Sequence, residues 1–178
     1  MKSALKPIVK QKAKEHLETL DLSQYLPSLD KIKSIDISQW LTMGMLLKEK
    51  DYRNFIKEFD WSEYTNSFVN VYCSTDAILA PWAFMLVQVE LQKVHAFAVV
   101  GTETALTHEI ILNEFNHLDW STFSGKIVLI KGCGDKRIDH WAYMKATQLL
   151  SPFADRINYG EACSFVPVYK KSKRAEAQ

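Results

Sequence analysis

What this chain of 178 residues lacks bounds it first. Three cysteines are too few, and odd in number, for a disulfide framework, so the disulfide-stapled secreted class is excluded and reduced thiols in a cytoplasmic protein are expected. No apolar run reaches the roughly 18 residues of a membrane span. The first twenty residues also lack the continuous apolar stretch and small-residue cleavage site of a signal peptide. Charge of one sign is missing too: 22 basic residues face 21 acidic ones, for a net charge of +1. A nucleic-acid partner would need a basic patch, and the only basic cluster is the run Lys170, Lys171, Lys173 and Arg174, which reads as a solvated tail. There is no G-x-G-x-x-G, no Walker loop, no H-E-x-x-H and no C-x-x-C. Nucleotide cofactors, metalloprotease chemistry and closely spaced thiolate ligands therefore have no motif behind them.

What is present is a hydrophobic content of 47%, enough for one globular domain with a core, and a pattern written twice. A shift of 59 residues lays Asp60-Trp61-Ser62 on Asp119-Trp120-Ser121, Asp76 on Asp135, and Trp82-Ala83 on Trp141-Ala142. In the same ungapped frame Met85 meets Met144 and Gly101 meets Gly160, and Asn54, Val69 and Leu91 meet Asn113, Val128 and Leu150. Four of the five tryptophans are paired by this one shift, and they read as core anchors between helix and sheet.

Taken in order, Met1 to Leu20 is a lysine-rich amphipathic helix, with Leu5, Ile8, Val9 and Leu17 as its apolar side. Ile32 to Ile37 is a short strand, and Asp36 or Ser38 caps a helix carrying Trp40, Leu41 and Leu46 that Gly44 interrupts. A second helix spans Lys48 to Phe59. The first copy then gives a strand at Phe68–Tyr72, a polar turn at Cys73-Ser74-Thr75-Asp76, a helix opened by Pro81 and running from Trp82 to Leu91, and a strand at Ala96–Val100. The second copy gives a helix at Thr107–His117, a strand at Ile127–Ile130, the turn Gly132-Cys133-Gly134-Asp135, a helix at His140–Leu150 capped by Asp139, and a strand at Arg156–Tyr159. Phe165 to Tyr169 is an extra edge strand, antiparallel to the rest.

Alternation of this kind predicts a three-layer α/β fold with a mostly parallel sheet built from two tandem βαβ repeats. Residues 1–20 form a helical extension, 21–170 a single domain with copies over about 53–103 and 112–162, and 171–178 a flexible tail. Numbering the four repeat strands in chain order, the expected sheet order is 2-1-3-4. The first strands of the two copies are then neighbours at a switch point, where open α/β sheets place ligands.

Several motifs resemble one uncharacterised bacterial family, labelled domain of unknown function 2480. They are Asp36-Ile37-Ser38-Gln39-Trp40-Leu41, Lys48-Glu49-Lys50-Asp51-Tyr52-Arg53, Cys73-Ser74-Thr75-Asp76-Ala77-Ile78, Trp82-Ala83-Phe84-Met85, Lys131-Gly132-Cys133, and Gly160 through Pro167. The resemblance covers Leu17 to Lys171 and brings no activity with it. It implies that Cys73, Cys133 and Cys163 sit in family motifs.

Three readings of the site follow. In the first, Cys73, Cys133 and Cys163 meet at the C-terminal rim of the sheet and hold zinc or iron, with Asp76 and Asp135 as companion ligands and Glu103, Glu161, His108 or His140 in reserve. In the second, Cys133 is the nucleophile of a sulfur carrier or transferase, made reactive by flanking glycines, a helix N-terminus, Lys136 and Arg137. The cysteine-loop phosphatase pattern fails, since Asp139 stands where its arginine belongs. In the third, the cysteines pack as small apolar residues, the aspartates close turns, and the protein is a non-catalytic interaction module. No nucleic-acid or membrane partner is expected; an unidentified small-molecule ligand and a homo-oligomer are compatible with the chain.

Overall fold

The computed structural model describes residues 16–132 and 134–172. They divide into two compact units. The continuous unit runs from Pro27 to Ile110, and the split unit combines residues up to Leu26 with those from Ile111 onward.

In the continuous unit, β2 (Ile32–Asp36), β3 (Phe68–Tyr72) and β4 (Phe97–Val100) form a parallel sheet in that order. Two helices connect them, α1 (Glu49–Glu58) and α2 (Pro81–Lys93). Strand order advances in one direction, so right-handed crossovers put both helices on one face. The core agrees: Tyr52 and Ile56 of α1 and Ala83, Val87 and Leu91 of α2 pack with Ile35, Val69 and Val71. Pro81 opens α2 at its first turn, where a missing N–H costs nothing.

The split unit has β1 (Leu17–Asp21), β5 (Ile127–Lys131), β6 (Arg156–Glu161) and β7 (Ser164–Lys170) in the order β1-β5-β6-β7. The first three are parallel, and β7 is an antiparallel edge strand, as expected. Ile111 and Phe115 of α3 (Glu103–His117) and Ala142, Ala146 and Leu150 of α4 (His140–Leu150) pack with Leu20, Val128, Ile130 and Ile157. Asp139 caps α4 by accepting the Trp141 N–H at 3.1 Å.

Positions recur across the units at the 59-residue spacing: β3 with β5, α2 with α4, and β4 with β6. Bonds recur as well. The Trp61 indole N–H donates to the Ile56 carbonyl and that of Trp120 to the Phe115 carbonyl, each at 2.9 Å.

Three expectations are corrected. The order 2-1-3-4 in one sheet is replaced by two sheets, because each central strand takes a neighbour from upstream of the repeated stretch: β2 beside β3, and β1 beside β5. Neither order reverses, so no switch point of the expected kind forms. The helix residues of each core cluster pack on one face of their sheet. Leu17–Asp21 is strand, not the end of a helix, since pairing with β5 overrides a local amphipathic pattern; the rest of that predicted helix lies outside the described residues. Finally, Asp36 caps only a short 3-10 turn, Ile37–Trp40, and Leu46 is left exposed.

Candidate binding groove

A single helix is about 10 Å wide and strands are spaced about 4.8 Å apart, so one helix covers two strands. Helix α4 covers β5 and β6. Strand β7 widens the sheet beyond its reach, and the result is an open groove of about 910 Å³, lined by split-unit residues. Ile138, Tyr143 and Met144 form one side, Tyr159 and Val168 the other, and Ile130 and Gly132 the inner end. The Tyr143 and Tyr159 rings meet edge to face with centroids 5.3 Å apart. Val168 is the extra residue of a bulge, since Ile157 pairs with Tyr169 and Asn158 with Pro167. Met144 is 73% exposed and Val168 54%, so the groove presents apolar surface to solvent.

Gly132 makes the inner end possible. Its φ is +151°, and a Cβ there would lie 3.1 Å from Ile138 Cδ1 and from the Tyr143 hydroxyl, and 3.2 Å from Leu22 Cβ. A side chain would have to displace all three.

The polar lining consists of Asp135, Lys136, His140, Thr147 and Gln148. Thr147 spends its hydroxyl on the Tyr143 carbonyl at 2.8 Å. Asp135 is engaged by its neighbour: the Arg137 Nε–H donates to its two carboxylate oxygens at 3.0 and 3.1 Å, and the Arg137 backbone N–H adds a third bond at 3.0 Å. Those side-chain bonds hold the Asp135 carboxyl below its ordinary range, against the opposing effect of partial burial. With Asp135 neutralised by Arg137, Lys136 is the charge this lining leaves over.

The residues singled out from sequence are divided between the two units. Cys73 follows β3 in the continuous unit, half-buried, its sulfur 3.4 Å from the Thr75 hydroxyl. Cys163 lies exposed in the β6–β7 turn of the split unit. Cys133 lies outside the described residues. Asp76 is exposed in the continuous unit, whereas Asp135 belongs to the split unit. The neighbouring first strands that were to gather these groups at one rim do not exist. Among the described residues, no group of three or more His, Cys, Asp or Glu side chains is placed to hold a metal ion. Nor is any described helix long and apolar enough to cross a membrane. Sequence reasoning missed the groove residues Tyr143, Tyr159 and Val168. One signal was available: Met85 and Met144 share a register position, and both are exposed, at 65% and 73%.

These features define a mixed α/β protein with two mainly parallel sheets and an apolar groove beside one of them. The chain belongs to the family described as protein of unknown function (DUF2480), whose model matches residues 6–171. No curated protein and no solved structure matches it.

Proposed function

We propose that this protein binds a small amphipathic ligand, an apolar body with an anionic end, in the groove between α4 and the β6–β7 edge. The observation that carries this is the exposed apolar surface of Met144, Tyr159 and Val168, backed by Gly132 and edged by Lys136. Ligand sites are typically apolar concavities of about 300–1,000 Å³ with a few polar groups at the edge, and this groove fits that description.

The test is a fluorescence titration of the full chain with 8-anilinonaphthalene-1-sulfonate, which carries an aromatic body and one negative charge. Saturable binding to the folded protein is expected, with near-ultraviolet circular dichroism unchanged. Met144→Glu, at an exposed position, should weaken it at least about tenfold, whereas Ile78→Glu, 95% exposed in the continuous unit, should not. Equal binding by all three proteins, or none by any, contradicts the reading.

A second reading retains one observation. Cys133 lies two residues past β5, Cys163 lies in the turn after β6, and the ends of these adjacent strands are joined by Lys131 and Glu161 at 3.3 Å. A two-cysteine version of the zinc or iron site, or a thiol enzyme centred on Cys133, would use this rim. Elemental analysis with thiol titration separates them: bound metal that shields two thiols supports the first, and one fast thiol without metal supports the second. Inert thiols without metal remove both.

We further infer that the two units descend from a tandem duplication of one βαβ unit, supported by the recurring elements and tryptophan bonds.

A further inference from the structure

Strand β6 carries Arg156 directly opposite Lys170 of β7. Like charges facing each other across an antiparallel pair repel and destabilise the sheet. Neither cation has an acidic partner among the described residues. Two residues along β6, Asn158 lies between Leu129 of β5 and Pro167 of β7, and neither side chain can hydrogen-bond to it. Asn158 is 6% exposed, and among the described residues its side-chain amide has no hydrogen-bond partner. Every fully enclosed polar side-chain atom among those residues is paired, so the Asn158 amide faces open space. That space is a cavity of about 450 Å³, lined by Arg156, Asn158 and Lys170 with Ile127, Leu129 and Phe165 as its apolar wall. Val128, Ile130 and Ile157 pack under α4, so alternation along the strands sets Ile127, Leu129, Arg156 and Asn158 on the opposite face of the sheet.

We propose that this cavity is a second binding site, separate from the groove, for a small phosphate monoester with one apolar ring or short chain. The charge pair selects the head group. A guanidinium is a permanent cation whose fork grips two oxygens, and the ammonium opposite adds a point charge. A phosphate monoester carries about −1.5 to −2 near pH 7, enough to answer both cations, whereas a carboxylate answers one. Bound between Arg156 and Lys170, it turns their repulsion into a shared attraction. Asn158 hydrogen-bonds the ester side of the ligand, which gives its buried amide the partner the sheet withholds. Ile127, Leu129 and Phe165 cover the apolar body. The volume lies at the small end of the usual range of about 300–1,000 Å³, which suits a single ring.

The test is a nuclear magnetic resonance titration of the labelled full chain with phenyl phosphate. Saturable shifts are expected in the Asn158 side-chain amide and the Arg156 Nε–H, with Gly132 and Thr147 of the groove unmoved. Benzoate, the same ring with one charge, should bind at least about tenfold more weakly. Arg156→Gln and Lys170→Gln, both at exposed positions, should each weaken phenyl phosphate by at least about tenfold. Lys57→Gln, which removes an exposed charge from the continuous unit, should leave binding unchanged. Without ligand, the thermal midpoints of Arg156→Gln and Lys170→Gln should equal or exceed that of the wild type, because a repulsion has been removed. Four results would each overturn the proposal: no saturation, equal binding of benzoate, wild-type binding by Arg156→Gln, or shifts at Gly132 and Thr147 with Asn158 still. The last of these would assign the probe to the groove and leave that reading standing.

Discussion

Aspartate followed two residues later by serine occurs four times in this chain with one geometry. Asp21, Asp36, Asp60 and Asp119 each use Oδ1 to accept the backbone N–H of Ser23, Ser38, Ser62 and Ser121, at 2.9–3.0 Å. Asp36 does more, since the same oxygen accepts the Ser74 N–H at 3.1 Å and so ties the end of β2 to the loop after β3. Burial pushes the Asp36 carboxyl up, but the bonds from Ser74 and Ser38 outweigh it and leave the group below the ordinary range. Its stabilising effect is thus complete above the unfolded-state value near about 3.9 and fades as pH falls through the lower folded-state value. Asp36→Ala should cost about 1 kcal/mol in urea unfolding at pH 7, the usual magnitude for a lost cap. The gap between variant and wild type should shrink steadily below about pH 4, and a constant gap would show that the carboxylate charge is not involved.

One turn decides whether the groove exists. Gly160 lies in β6 opposite Phe165 with a φ of +123°, and a Cβ there would stand 2.6 Å from the Ser164 carbonyl oxygen. That contact is with backbone, so relief requires β7 itself to shift. Gly160→Ala should cost about 1–3 kcal/mol of stability and weaken probe binding as well, because β7 supplies one wall through Val168. Full stability with full binding in this variant would mean that β7 tolerates displacement. Elements of this kind were readable from residues alone. Glycine after a strand, proline at a first helical turn and Asp139 before a helix each report a local backbone requirement. The pattern in Leu17 to Asp21 was not readable, because an amphipathic segment becomes strand only when a partner such as β5 is present.

The assembly of elements was the least readable part. Hydrophobic periodicity and turn residues located β3, β4, β5 and β6 and the helices α2 and α4. The match at a 59-residue shift carried no information about which strand sits beside β3 or β5. Those places are taken by β2 and β1, whose sequences Ile32-Lys33-Ser34-Ile35-Asp36-Ile37-Ser38-Gln39-Trp40-Leu41 and Leu17-Glu18-Thr19-Leu20-Asp21-Leu22-Ser23-Gln24-Tyr25-Leu26 also match, at a shift of 15 residues. A nested pattern of this sort is invisible to a search at one spacing. The cysteine and aspartate site was argued from a pairing of β3 with β5, and these two strands lie in different sheets. The groove itself depends on a mismatch between one helix and three strands, which no single residue announces.

Amide chemical-shift mapping of the labelled full chain, titrated with 8-anilinonaphthalene-1-sulfonate, tests the binding claim most directly. The expected shifts centre on Gly132, Thr147, Tyr159 and Val168, and their continuous-unit counterparts Gln88 and Val100 stay in place. Shifts centred on Gln88 and Val100, or spread evenly over both units, would contradict it.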